Sequence, residues 1–225
     1  MGHSLRGAPG GHLILLFTIT IFTSSLLVFL IQPMFARMVL PSLGGSPAVW
    51  NTAMLFYQGG LLLGYAYAHL GPKLLSVRRH ALLHVGVMLL PLLVLPVAIP
   101  TGWSPPVSSN PAPWLLGLMA VAIGLPYLVV SASNPLLQRW FSATGHPLAG
   151  DPYFLYAASN AGSMLALLAY PLLMVPLFDL RTQGWLWTVG YVLLILLVAG
   201  AMLAVRRAGK GEGEGAASQE AAPEE

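Results

Sequence analysis

The 225-residue chain is 56% hydrophobic and only 8% charged, against about 25% charged in soluble domains, so its surface is not built to meet water throughout. The net charge of +3 comes from scattered cations, without the clustered Lys, Arg and aromatic side chains on a soluble face that nucleic-acid binding requires. There is no cysteine, which excludes disulfides, thiolate metal sites and Cys nucleophiles.

Apolar runs of about 20 residues recur and predict membrane-spanning helices, because backbone groups in lipid must pair within their own segment. The alternating polarity of a membrane barrel is absent. The fold class is therefore all-α integral membrane, with a six-helix domain over 12–205, a short cytoplasmic lead over 1–11 carrying Arg6, and an unstructured cytoplasmic tail over 206–225. Helix 1 is predicted over about 13–40; its apolar stretch exceeds a signal-peptide core and no A-x-A site follows it. The Pro/Gly turn 41–47 ends it and leaves Pro47 to start helix 2 (48–70), where a missing N–H does no harm. A basic loop carries Lys73, Arg78 and Arg79. Helix 3 (80–99) holds Pro91 and Pro96, which predict a kink. A proline-rich loop leads to helix 4 (114–138), and helices 5 (152–175) and 6 (185–205) complete the domain.

Six spans place both termini on one side. That side collects Arg6, Lys73, Arg78, Arg79, Arg139, Arg206, Arg207 and Lys210, whereas Arg37 and Arg181 fall opposite. The positive-inside rule then predicts cytoplasmic termini and a plasma (inner) membrane location. The tryptophans 50, 103, 114, 140, 185 and 187 fall near predicted helix ends and read as interfacial anchors.

An internal repeat is visible. With Pro33 set on Pro135, Gln32-Pro33 through Arg37 meets Asn134-Pro135 through Arg139, and after a three-residue insertion Pro47 meets Pro152. Helices 1–3 and 4–6 then read as two copies of one unit, and an odd helix number per copy inverts one relative to the other, a 3+3 inverted repeat.

The blocks FLIQPMFARMVLPSLGGSPAVWNTAMLFYQGGLLLGYAYAHL and GLPYLVVSASNPLLQRWF…DPYFLYAASNAGSMLALLAYPLL resemble the N-terminal membrane region of the fused major-facilitator/spermidine-synthase-like family. The resemblance covers helices 1, 2, 4 and 5 and implies a six-helix unit similar to one half of a major-facilitator transporter. Gly64 through Arg78 and Arg79 is weakly similar to that superfamily's inner loop, although His69 and Pro72 stand where an acidic residue is expected. Members of the family continue into a synthase-like domain. Nothing after Val205 reads as one, so no aminopropyl transfer and no enzyme activity are expected of this chain, and no cofactor.

The resemblance places helices 1, 2, 4 and 5 around a polar, aromatic cavity, for which Gln32, Asn51, Tyr57, Gln58, Tyr65, Asn134, Tyr156 and Asn160 are the candidates. Hydrogen bonding between helices is the competing account of these groups. Arg37 is the one charged side chain within the apolar spans; it either snorkels to the surface or contacts an anion there. Arg37, His69, Arg78, Arg79 and Arg139 are candidate gate or interface residues. His80 and His84 stand one turn apart but lack a third ligand at a defined spacing, so pairing with headgroups or loop carbonyls is expected rather than a metal. Gly60 and Gly64 form a GxxxG element, with Ala158, Gly162 and Ala166 as a small-residue counterpart.

Two functions follow as expectations. One is a transporter-like module in the lipid bilayer that works as a homo-oligomer or with a partner. The other is a non-catalytic membrane subunit or anchor for a separate spermidine-synthase-like protein. No nucleic-acid partner is expected.

Overall fold

The structure, a computed structural model, describes residues 11–106 and 110–220, with side chains described through Arg206. Most of the expected lead, with Arg6, and residues 221–225 lie outside the described residues. Regular structure among the described residues is entirely helical: α1 Gly11–Leu43, α2 Pro47–Leu74, α3 Val77–Leu89, α4 Pro111–Ser142, α5 Tyr153–Leu177 and α6 Leu180–Glu220.

Capping sets where these helices begin. Ser46 Oγ accepts from Val49 N and Ser76 Oγ from Arg79 N, both at 3.4 Å, while Asn110 Oδ1 accepts from Ala112 N at 2.9 Å. Asp179 Oδ1 accepts from Thr182 N at 2.8 Å and so starts α6 five residues ahead of the expected Trp185. At the other end of the first turn region, Gly44 takes a φ of 69° that a β-carbon disfavours, and its N–H donates back to Leu40 O at 2.8 Å to close α1.

Among the described residues, four helices are long and apolar enough to cross a membrane: α1, α4, α5 and α6 as far as Arg206. The expectation of six complete spans is not met in two places. Helix α2 has the length, with 28 residues, but Asn51, Gln58, its tyrosines and its glycines dilute its apolar character. Helix α3 stops at Leu89 instead of Ile99 and passes into a 3-10 turn over Leu90–Leu93. Pro91 and Pro96 withhold the N–H groups that continuation needs, so the expected kink is a true end. At about 1.5 Å per residue, 13 residues fall well short of a hydrocarbon core about 30 Å thick.

The C-terminal tail also differs from expectation: α6 continues as helix to Glu220. Once a long apolar helix is nucleated, each further residue adds a hydrogen bond without a new nucleation cost, which carries the helix through Gly209, Gly211, Gly213 and Gly215 although glycine is a poor helix former.

Prolines shape α4 and α5 as well. A π turn over Ala120–Gly124 ends two residues before Pro126, and another over Tyr170–Met174 ends two residues before Pro176. A widened turn is a way to absorb the carbonyl that a proline leaves without a donor.

Helices α1 and α4 cross at the centre. Helix α5 lies along α1 and α2 along α4, while α6 packs behind α1 and also meets α3. Phe17 and Phe141 meet edge-on at 5.3 Å in the α1–α4 seam. Between helices in lipid, apolar burial gains little over lipid contact, so close backbone approach and polar bonds have to hold the bundle. The small residues serve this. A β-carbon at Gly64 would strike Ser131 Oγ of α4, and one at Gly162 would strike the Phe22 carbonyl of α1. The GxxxG element and its counterpart thus face different partners, one for each central helix.

Candidate functional site

The candidate cavity residues divide into two groups. The first is an interlocked network at the α1–α2–α4 crossing. The Gln32 amide nitrogen donates to the Tyr127 hydroxyl at 3.2 Å, and that hydroxyl donates to the Tyr57 carbonyl at 3.2 Å. The Tyr57 hydroxyl in turn donates to the Gln32 carbonyl at 3.0 Å. Tyr57 and Tyr127 are both buried, their rings 5.4 Å apart. Across the same α1–α4 seam, the Asn134 amide nitrogen donates to Ser25 Oγ at 2.7 Å and to Ser159 Oγ of α5 at 3.3 Å. These groups hold helices together, as the competing account of them requires.

The second group is exposed. Asn51, Gln58 and Tyr65 are exposed on α2 at intervals of seven residues, and Tyr156 and Asn160 are exposed on α5. Seven residues are two helical turns, so the α2 set forms a stripe on one face. Tyr67, two residues beyond Tyr65, points to the opposite side and meets His80 and His84 of α3 at ring distances of 5.0 and 5.7 Å. The stripe is therefore turned away from α3. The eight candidates do not enclose one cavity. Of them, Tyr57 alone lines the narrow apolar cleft between α1, α2 and α4, together with Phe35, Val39, Trp50, Leu115 and Met119.

The candidate gate residues lie at the two ends. His69, Arg78, Arg79 and Arg139 are exposed at one end. Arg37 lies at the other, half-buried, its guanidinium beside the Tyr170 hydroxyl.

A polar cluster that sequence reasoning misplaced sits just inside the Arg139 end. His80, His84 and Trp140 are fully buried rather than interfacial, and Trp187, also buried, donates its indole N–H to Leu27 O at 2.9 Å. Ser133 donates its hydroxyl proton to Val129 O at 2.9 Å, so the 3.1 Å bond between Ser133 Oγ and His84 Nε2 carries the imidazole's proton. His84 Nδ1, both ring nitrogens of His80, the Tyr67 hydroxyl and the Trp140 indole nitrogen have no protein partner. The side chains come from three helices, α2, α3 and α4. Their i, i+4 histidine spacing was the only local signal; burial came from Gly71, whose missing β-carbon makes room for the His80 ring. Among the described residues, no group of three His, Asp or Glu side chains is arranged to hold a metal.

No family model, curated protein or solved structure matches the chain.

Proposed function

We propose that the chain is a transporter-like six-helix module, built as a 3+3 inverted repeat, that encloses a pathway across the membrane together with a second copy of itself. The observation that carries this reading is an exchange of hydrogen bonds. The register that sets Pro33 on Pro135 also sets Gln32 on Asn134 and Ser25 on Tyr127. It therefore converts the Gln32–Tyr127 bond into the Asn134–Ser25 bond, with the two central helices trading places. The packing supports the same operation, since α5 lies along α1 as α2 lies along α4. Inverted repeats of this kind are a common way to build transporters.

The second copy is motivated by the exposed stripes. Amides and phenols at lipid depth lack partners, whereas an amide is donor and acceptor at once and pairs with its own kind. Two copies facing each other through α2 and α5 would cover both stripes and leave a polar seam between them.

Because the chain has no cysteine, single-cysteine crosslinking is clean. Gln58→Cys in native membranes should give an oxidant-dependent dimer, and Leu172→Cys, on another exposed surface of α5, should not. Solute flux in reconstituted vesicles should fall in Gln58→Leu and Asn160→Leu. Absence of the dimer, together with flux that is unchanged in both folded variants, would sink the proposal.

A further inference from the structure

We infer that the Arg37 end of the bundle is a binding site for an oxyanion, a carboxylate or phosphate group, held by the Arg37 guanidinium. The inference stands apart from transport and from the second copy.

The local chain of donors leaves Arg37 in need of an acceptor. Gln183 is fully buried, and its amide nitrogen donates to Met174 O at 3.0 Å and Phe178 O at 2.9 Å, tying down the last turn of α5. Its carbonyl oxygen accepts the Tyr170 hydroxyl proton at 3.1 Å. The Tyr170 oxygen can then only accept, and Arg37 lies against it. The bonds from Tyr170 to Gln183 and on to the helix end run in one direction and turn an acceptor toward Arg37. Nη1 is sealed from solvent with no partner.

Among the described side chains, no carboxylate serves it. The sequence before residue 206 holds two acids, Asp151 and Asp179. Asp151 lies in the turn before α5, at the opposite end of that helix from Tyr170. Asp179 is committed to the first turn of α6 through Thr182 N at 2.8 Å. Arg181, exposed beside it, adds a second cation to this end. Next to this site, an apolar cleft between α1, α5 and α6 is lined by Met34, Tyr170, Gln183 and Trp187. A guanidinium nitrogen withdrawn from water is costly unless it is paired, and its planar fork fits two oxygens of one carboxylate or phosphate. The oxyanion is either a soluble one or the headgroup of an anionic lipid.

The test uses the full chain in phosphatidylcholine nanodiscs, with thermal unfolding followed by tryptophan fluorescence. Sodium phosphate and sodium succinate are titrated against sodium chloride at matched ionic strength. A parallel arm replaces part of the phosphatidylcholine with phosphatidylglycerol and adds no soluble oxyanion. Binding to the folded state raises the unfolding midpoint by mass action. We expect a midpoint rise of several degrees in at least one arm, which also identifies the source. Arg37→Gln should abolish the rise, Arg37→Lys should weaken half-saturation about tenfold through loss of the two-pronged geometry, and Arg181→Gln should retain it. If wild-type protein responds to neither the oxyanions nor phosphatidylglycerol beyond chloride, the site does not exist. A response equally strong in Arg37→Gln overturns the assignment to Arg37.

Discussion

The Asn134 amide nitrogen donates to Ser25 Oγ at 2.7 Å, so residues 109 positions apart in the chain are joined at the centre of the bundle. Gln32 and Tyr127 make the corresponding bond at 3.2 Å. Each bond should behave as an interhelical polar contact worth about 0.6–2 kcal/mol. In a double-mutant cycle on detergent-solubilised protein, Gln32→Leu with Tyr127→Phe should show coupling, and so should Asn134→Leu with Ser25→Ala. Gln32→Leu with Ser25→Ala should be additive, because these two share no bond. Coupling in the mixed pair and none in the matched pairs would contradict the network.

Two tyrosines of the α2–α4 region, Tyr127 and Tyr67, should differ sharply on loss of the hydroxyl. Tyr127→Phe breaks two bonds and should destabilise by about 1–3 kcal/mol, leaving Gln32 without its acceptor. Tyr67→Phe removes a hydroxyl that has no partner, so it should be neutral or stabilising. Unfolding midpoints of the two variants, measured side by side, check the ordering.

Glycines with and without close neighbours give a graded series. At Gly162 a new β-carbon meets the Phe22 backbone carbonyl, which cannot yield without moving α1, so Gly162→Ala should be the most destabilising. At Gly64 the nearest atom is the Ser131 hydroxyl, which can rotate, with Ala132 N next at 3.1 Å; Gly64→Ala should be intermediate. Gly59 has nothing within 4 Å, and Gly59→Ala should gain about 0.5–1 kcal/mol from the lower entropy of the unfolded chain. Expression level and melting temperature of the three variants test the order.

Asp179 carries a pH dependence. Its hydrogen bond from Thr182 holds the carboxyl below its ordinary 3.8, so the folded state binds its proton less readily than the unfolded chain. The capping contribution is then fully present above about pH 4 and fades as pH falls through the depressed folded value. Asp179→Asn keeps a capping oxygen without the titration, and its melting temperature should drop less than that of the wild type on acidification below pH 4. An identical acid slope in the two proteins would show that the cap does not titrate as described.

What the sequence made legible follows physical range. A helix start was readable at Pro47, where a fixed φ and a missing N–H belong in a first turn, whereas the turn expected over 41–47 is shorter, because α1 runs on through Pro41 to Leu43. The end of α3 was half legible: Pro91 and Pro96 announced a break, but whether the chain kinks or stops depends on what packs against it. The burial of His80 and His84 had no local signal, since it rests on the space above Gly71 and on Tyr67 and Trp140 arriving from two other helices. Likewise the candidate amides read alike in sequence, and packing alone separates the interlocked Gln32 and Asn134 from the exposed Asn51, Gln58 and Asn160.

The placement of α1 has a consequence for how the chain is made. Its partners are α4, α5 and α6, whereas its neighbour in sequence, α2, meets it only slightly. At about 5–20 residues per second, the roughly hundred residues that separate α1 from α5 take on the order of ten seconds to synthesise. For most of that interval Ser24, Ser25 and Arg37 lack their partners on α4 and α5, and Gln32 has only Tyr57 of α2. Newly made α1 therefore waits without most of its polar partners, and assembly of the bundle begins in earnest when α4 and α5 emerge.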